Sequence, residues 1–166
     1  MSVRLSAAIC GATILFAYFS IAMARSEIRG VRSYAVNRDV YSTAVVGAAS
    51  MYNPYRSGYR EGGTTTATGE RYNRYAWAAA IQTALRERFG GIRHSSRASY
   101  ALVEGTNKKA IVKINDVGPL KPGRVIDFDE QTMRYFDPTL RLGVIQNVRV
   151  TPLPGDDWTP GPIAQR

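Results

Sequence analysis

Few side chains in this 166-residue chain could move a proton: it has one histidine and one cysteine, so acid–base chemistry falls to carboxylates. Asp116 stands out in "INDVGP", where an apolar run meets a turn imposed by Gly118 and Pro119. The corner can be a turn and nothing more, because Asn115 and Asp116 can each bond their own backbone. It would also expose Asp116 at a sheet rim, where part-burial without a cation raises a carboxylate towards the range of a general acid. Glu70 ends "TTTATGE", a Thr- and Gly-rich run that holds a side chain at a loop edge, and taken alone it reads as a surface carboxylate. Asp127, between Ile126 and Phe128, reads as a group that satisfies backbone donors inside the fold rather than one that meets substrate. His94 lies in the polar loop "GGIRHSSRAS" with no second histidine near it to suggest a metal. It reads as a solvated loop residue, and nothing in the sequence directs that loop back to Asp116 or Glu70.

The elements that must position these groups follow from pattern. "AVVGAASMYN" reads as a strand, and residues 55–73 as a loop with Gly58, Gly62, Gly63 and Gly69 as flexible points. Trp77, Ile81, Leu85 and Phe89 recur every four residues, which predicts one apolar stripe on a short helix ended by Gly90 and Gly91. "ASYALVEG", with Tyr100 and Leu102 in phase, and "KKAIVKIND", with Ala110, Val112 and Ile114 on one face and Lys109 and Lys113 on the other, predict two strands. "GRVIDF" adds a short one. Asp129 is placed as an N-cap, with Phe128 and Met133 as a staple, for a helix over "EQTMRYF" closed at Asp137-Pro138. "GVIQNVRVTP", with Val148 and Val150 inward, is the last strand. Short strands broken by two small helices predict a mainly β, compact barrel of mixed topology.

Length and a 45% hydrophobic content suit one domain with appendages. Residues 1–24 carry Arg4, an apolar run and Ala22-Met23-Ala24, the pattern of a secretory signal cleaved after Ala24. The alternative is a retained membrane anchor, since the run approaches the ~20 apolar residues a bilayer requires. Cys10 falls inside it, so a chain starting at Arg25 could form no disulfide and no thiolate metal site. Residues 25–43 read as a linker, 44–153 as the folded domain and 154–166 as a Pro/Gly-rich tail. The formal charge of +9 favours anionic surfaces, which for an exported protein are envelope polymers or lipid headgroups rather than nucleic acid.

The order "GAASMYN", "TATGERYN", "AAIQT", "IVKINDVGP", "GRVIDF", "VRVTPL" resembles the rare lipoprotein A (RlpA) family over about residues 46–153. The resemblance implies a six-stranded double-psi β-barrel with two short helices. It further implies an exported lytic transglycosylase that cuts peptidoglycan glycan strands and leaves 1,6-anhydro-muramic ends. The family's acid falls on Asp116 and its glutamate on Glu70. Tyr52, Tyr72, Lys113 and Arg124 are the expected substrate contacts, within an aromatic cluster that also holds Tyr55, Tyr59, Tyr75 and Trp77. Trp77, opening the apolar stripe, reads as core. Neither metal nor cofactor is expected; a monomer acting on glycan strands is, with envelope or division-site proteins as possible partners. The chain departs from the family in having Ile81 where the pattern has histidine, Val117 for arginine, Met51 for tryptophan, and a longer connection from Arg86 to Ser99. Those departures keep a second expectation open, a non-catalytic, expansin-like glycan-binding barrel.

Overall fold

The structure is a computed structural model describing residues 44–55 and 63–164; the expected signal, the linker and Tyr59 lie outside the described residues. Seven strands appear: β1 (Val45–Met51), β2 (Ala78–Gln82), β3 (Ser99–Gly105), β4 (Lys108–Gly118), β5 (Arg124–Phe128), β6 (Val144–Leu153) and β7 (Gly161–Pro162). A 3₁₀ helix, Thr83–Phe89, follows β2, and the α-helix α1, Glu130–Phe136, follows β5.

Strand order is β2-β5-β1-β6-β3-β4, and a further β2–β4 pairing closes the ring. Two of the six contacts, β1–β5 and β2–β4, are parallel; the other four are antiparallel. This is the expected closed six-stranded barrel with two short helices. Closure removes the exposed edges that an open sheet of this size would present. The Pro/Gly-rich tail is not wholly free of the sheet: β7 pairs with Ala110 and Ile111 of β4, and the Ile163 amide donates to the Lys109 carbonyl.

The core is built by alternation. Ala49, Ala79, Ile81, Ala101, Val103, Ala110, Val112, Ile114, Ile126, Phe128, Val148 and Val150 all point into one cluster, which Met133 and Phe136 of α1 and Phe89 complete. At Gly47 the barrel wall is too tight for a side chain, because a Cβ there would lie 2.4 Å from Val125 Cγ1 and 2.9 Å from the Gly123 carbonyl oxygen.

One expectation about the elements requires correction. The Trp77, Ile81, Leu85, Phe89 stripe does not lie on one helix: Ile81 is in β2, and only Leu85 and Phe89 are on the 3₁₀ helix. β2 sits between β4 and β5 and bonds to both, so tertiary pairing overrides the helix preference of "AAAIQ". In β3, Tyr100 and Leu102 do share a buried face, opposite to that of Ala101 and Val103 in the central cluster. Asp129 does occupy the N-cap of α1, but its side chain makes no capping hydrogen bond. Trp77 is partly buried against the core, edge-on to Tyr135 at 5.4 Å.

Candidate active site

Asp116 owes its outward direction to a bulge. In β4 the core positions are Ala110, Val112 and Ile114, so strict alternation would turn residue 116 inward. Against β2, however, Ala79 pairs with Ile114 and Ala80 with Asp116, which leaves Asn115 as an extra residue. The phase slips by one: Val117 packs against the core and Asp116 takes the outer face.

On that face the registers place Asp116, Ala80, Asp127 and Ser50 in one row across β4, β2, β5 and β1. Their neighbours Ala79, Ile81, Ile126, Phe128 and Ala49 are the core residues of the same strands. Ala80, with only a methyl group, forms a shallow floor between two aspartates. Asp129, two residues beyond Asp127 on extended backbone, continues this face.

Glu70 sits on a hairpin that β4 holds beside Asp116. Thr65 bridges to Arg71, and the Thr66 amide donates to the Glu70 carbonyl at 2.8 Å. β4 grips the tip: the Thr68 amide donates to the Asn115 carbonyl at 3.1 Å, and the Ala67 amide to Asp116 Oδ1 at 2.8 Å. The Glu70 carboxylate receives Lys113 Nζ at 2.5 Å and Asn115 Nδ2 at 3.3 Å. Lys113 therefore serves as the ion partner of Glu70.

The surroundings drive the two carboxyl groups apart. At Asp116 burial raises the pKa, and amide bonds from Ala67 and Val117 only partly offset it. Both amides bind Oδ1, so a proton on this group belongs on Oδ2, which has no protein partner. At Glu70 burial acts upward as well, but the hydrogen bonds from Lys113 and Asn115 and the Lys113 charge outweigh it, and the net shift is downward.

Asp127 does not satisfy backbone donors, contrary to the reading from sequence: its Oδ1 is buried without a hydrogen bond, as is the Ser50 hydroxyl opposite. The hydroxyl is nevertheless near enough to favour the ionised form. Burial and the Asp116 charge raise Asp127; Ser50 and Arg124 act the other way, and the net shift is upward. Asp129 is pushed up to about 8 by burial, Asp116 and Asp127, so it is a neutral acid at pH 7. The one signal in the sequence for these two was the i, i+2 spacing in "IDFD", which puts both on one strand face.

The remaining expected contacts divide. Arg124 opens β5, and its charge is felt at Asp127. Tyr72 is only 5% exposed; its hydroxyl donates to the Tyr52 carbonyl at 2.9 Å and accepts from the Glu130 amide, and burial raises its pKa. It is a structural residue and not a surface contact. Tyr52 is half-buried, edge-on to Tyr72, and bonded to the Gly63 carbonyl. Among the described residues Tyr55 and Tyr75 are the exposed aromatics, and the Arg74 guanidinium lies over the Tyr75 ring. His94 is exposed yet comes back to the glutamate hairpin: its ring lies against Gly69, so close that a Cβ on that glycine would sit 2.8 Å from both Cδ2 and Nε2. Sequence reasoning left it in solvent because no pattern encodes where a long connection lands.

Comparison with known proteins bears on this geometry. Residues 44–150 match the family described as lytic transglycolase. Over 119 residues the chain is 29% identical to the endolytic peptidoglycan transglycosylase RlpA of Yersinia pestis, a match covering 72% of this chain and 28% of that protein. Among solved structures, the Streptomyces papain inhibitor superposes with a TM-score of 0.50 at 15% identity, over 66% of this chain and 94% of its own. A Clavibacter michiganensis expansin bound to cellohexaose gives 0.48 at 13% identity, covering 66% of this chain and 50% of its own.

Proposed function

The chain belongs to the lytic transglycolase family, a double-psi β-barrel family that includes RlpA-like proteins, and from that premise we propose that it cleaves peptidoglycan glycan strands in the cell envelope, leaving 1,6-anhydro-muramic ends. One observation carries the reading: the Asn115 bulge turns Asp116 outward with Oδ2 unbonded, and the hairpin it grips brings in Glu70 already paired with Lys113.

The reaction needs one proton donor and one group that stabilises positive charge. Asp116 Oδ2–H donates its proton to the glycosidic oxygen as the C1–O4 bond breaks. Glu70, kept ionised by Lys113 and Asn115, faces the positive charge that develops on the sugar ring. The C6 hydroxyl oxygen then bonds to C1, and its proton passes to the Asp116 carboxylate, which restores the acid. No water is consumed. Two carboxyl groups with oppositely shifted pKa values are what an acid and a charge stabiliser require. Tyr55 and Tyr75 offer flat faces to the sugar C–H bonds.

Incubation of the protein with denuded glycan strands, followed by mass spectrometry, should yield anhydro-muramic ends, and Asp116→Asn should abolish them. A second reading, a barrel that holds glycan without cutting it, is favoured by Ile81, whose side chain is wholly in the core and presents nothing to the site. Binding of strands without any anhydro ends would decide for it.

A further inference from the structure

We propose that His94 is a positioning residue for Glu70, acting by packing its imidazole on the tip of the glutamate hairpin. The tip, residues 66–70, is held from one side by β4 through the Thr68 amide on the Asn115 carbonyl and the Ala67 amide on Asp116. From the other side it is held by residues 92–98. The Ser95 amide donates to the Thr68 carbonyl at 3.1 Å, so Thr68 is bonded on both edges. His94 closes the remaining face over Gly69, which has φ +92 and leaves no room for a side chain under the ring. Glycine is needed there for both reasons, the left-handed backbone and the contact.

The 92–98 segment is built to deliver that ring. Ile92 is fully buried and anchors it to the core. Ser95 adopts φ +58, a conformation that costs a non-glycine residue energy and that tertiary contacts must hold. Its hydroxyl lies 3.0 Å from His94 Nδ1 and orients the imidazole, leaving the Cδ2–Nε2 edge towards Gly69. The Gly69 amide, in turn, donates to the Thr66 carbonyl and closes the turn that leads into Glu70. Displacing the ring takes that contact from Gly69 and leaves the turn into Glu70 with less support. Placement errors of this kind cost rate rather than affinity, because the carboxylate acts on charge that exists only in the transition state.

The catalytic part of this inference rests on the transglycosylase reading; the positioning itself does not, and the test separates them. In the full chain, His94→Ala should speed hydrogen exchange at the Thr66, Thr68 and Gly69 amides by about tenfold, and His94→Phe, which keeps a flat ring, should restore protection. On denuded strands the Ala variant should lose about tenfold in kcat with KM within about twofold, and Phe should recover most of the rate. Unchanged exchange in His94→Ala would overturn the proposal, as would a KM rise with kcat intact, which would mark a direct contact to glycan. A wild-type protein that makes no anhydro ends sinks the transglycosylase reading alone, since the exchange measurement still decides whether His94 holds the hairpin.

Discussion

Two acidic regions on this barrel are treated in opposite ways. Glu130, at the start of α1, is almost fully buried and fully matched: Arg74 reaches it at 2.6 Å, Arg134 at 2.9 Å and Asn53 at 2.8 Å. Hydrogen bonds from Arg74 lead, against some burial, and with those from Arg134 and both guanidinium charges they hold its carboxyl below the usual range. On the outer face of β4, β2 and β5, Asp116, Asp127 and Asp129 lie together with unbonded oxygens and raised pKa values. The first arrangement ties the segment around Arg74 to the helix and serves stability. The second is left unmatched, and buried groups left that way mark the places where a fold gives up stability for chemistry.

The sharpest way to test that contrast is a pair of substitutions. Asp116→Asn should remove cleavage of denuded strands by at least about 10³-fold while leaving the urea midpoint nearly unmoved, because the amide can neither donate nor take back the proton. Glu130→Ala should do the reverse. Arg74 and Arg134 are half in solvent and can hydrate once released, so the loss should be about 2 to 3 kcal/mol in urea unfolding, with the rate of the folded protein preserved.

The two regions should also separate by pH. The Asp129 carboxyl ionises near 3.8 when unperturbed and near 8 in the fold, so between those values the folded chain holds a proton that the unfolded chain has released. Stability from this group is present at low pH and falls as pH rises through that window. Asp129→Asn removes the term, and its stability relative to wild type should improve steadily as pH rises from about 4 to about 8, measured by urea titration. A constant difference would show that Asp129 is not held neutral. Glu130 titrates with the opposite sign, its contribution being lost as pH falls through its lowered pKa. Smallest of all, Ser50→Ala deletes a buried hydroxyl without a hydrogen bond and should change stability by no more than about 0.5 kcal/mol. A larger loss would mean that the hydroxyl holds Asp127.

Much of the barrel was legible beforehand because its strands obey period two. Ala110, Val112 and Ile114 mark the inner face of β4, Val148 and Val150 that of β6, and the short helix after Asp129 starts and stops where its boundary residues predict. The apolar stripe through Trp77 and Ile81 misled because a central strand buried on both faces lacks alternation, and alanines suit a helix equally well. Tyr72 misled for a related reason: an aromatic beside a glutamate loop can pack inward as readily as outward, and which it does depends on the Glu130 amide waiting 58 positions away. Glu70 and Asp116 were nameable from their flanking motifs, but the Lys113 and Asn115 contacts that set the Glu70 charge state come from pairing across the fold.

By itself the sequence determined which chemistry is available: carboxylates, one histidine, and an apolar strand broken at Asn115-Asp116-Val117-Gly118. It did not determine direction. Carried forward from Ile114, alternation would have buried Asp116 in the core; the parallel pairing with β2 admits Asn115 as an extra residue and turns the carboxyl out. The tertiary structure decided this because a bulge is a property of two strands in register, and neither strand alone contains the mismatch. It decided the place of His94 for the same kind of reason, since a connection is aimed by the surfaces it lands on, here Gly69 and Thr68.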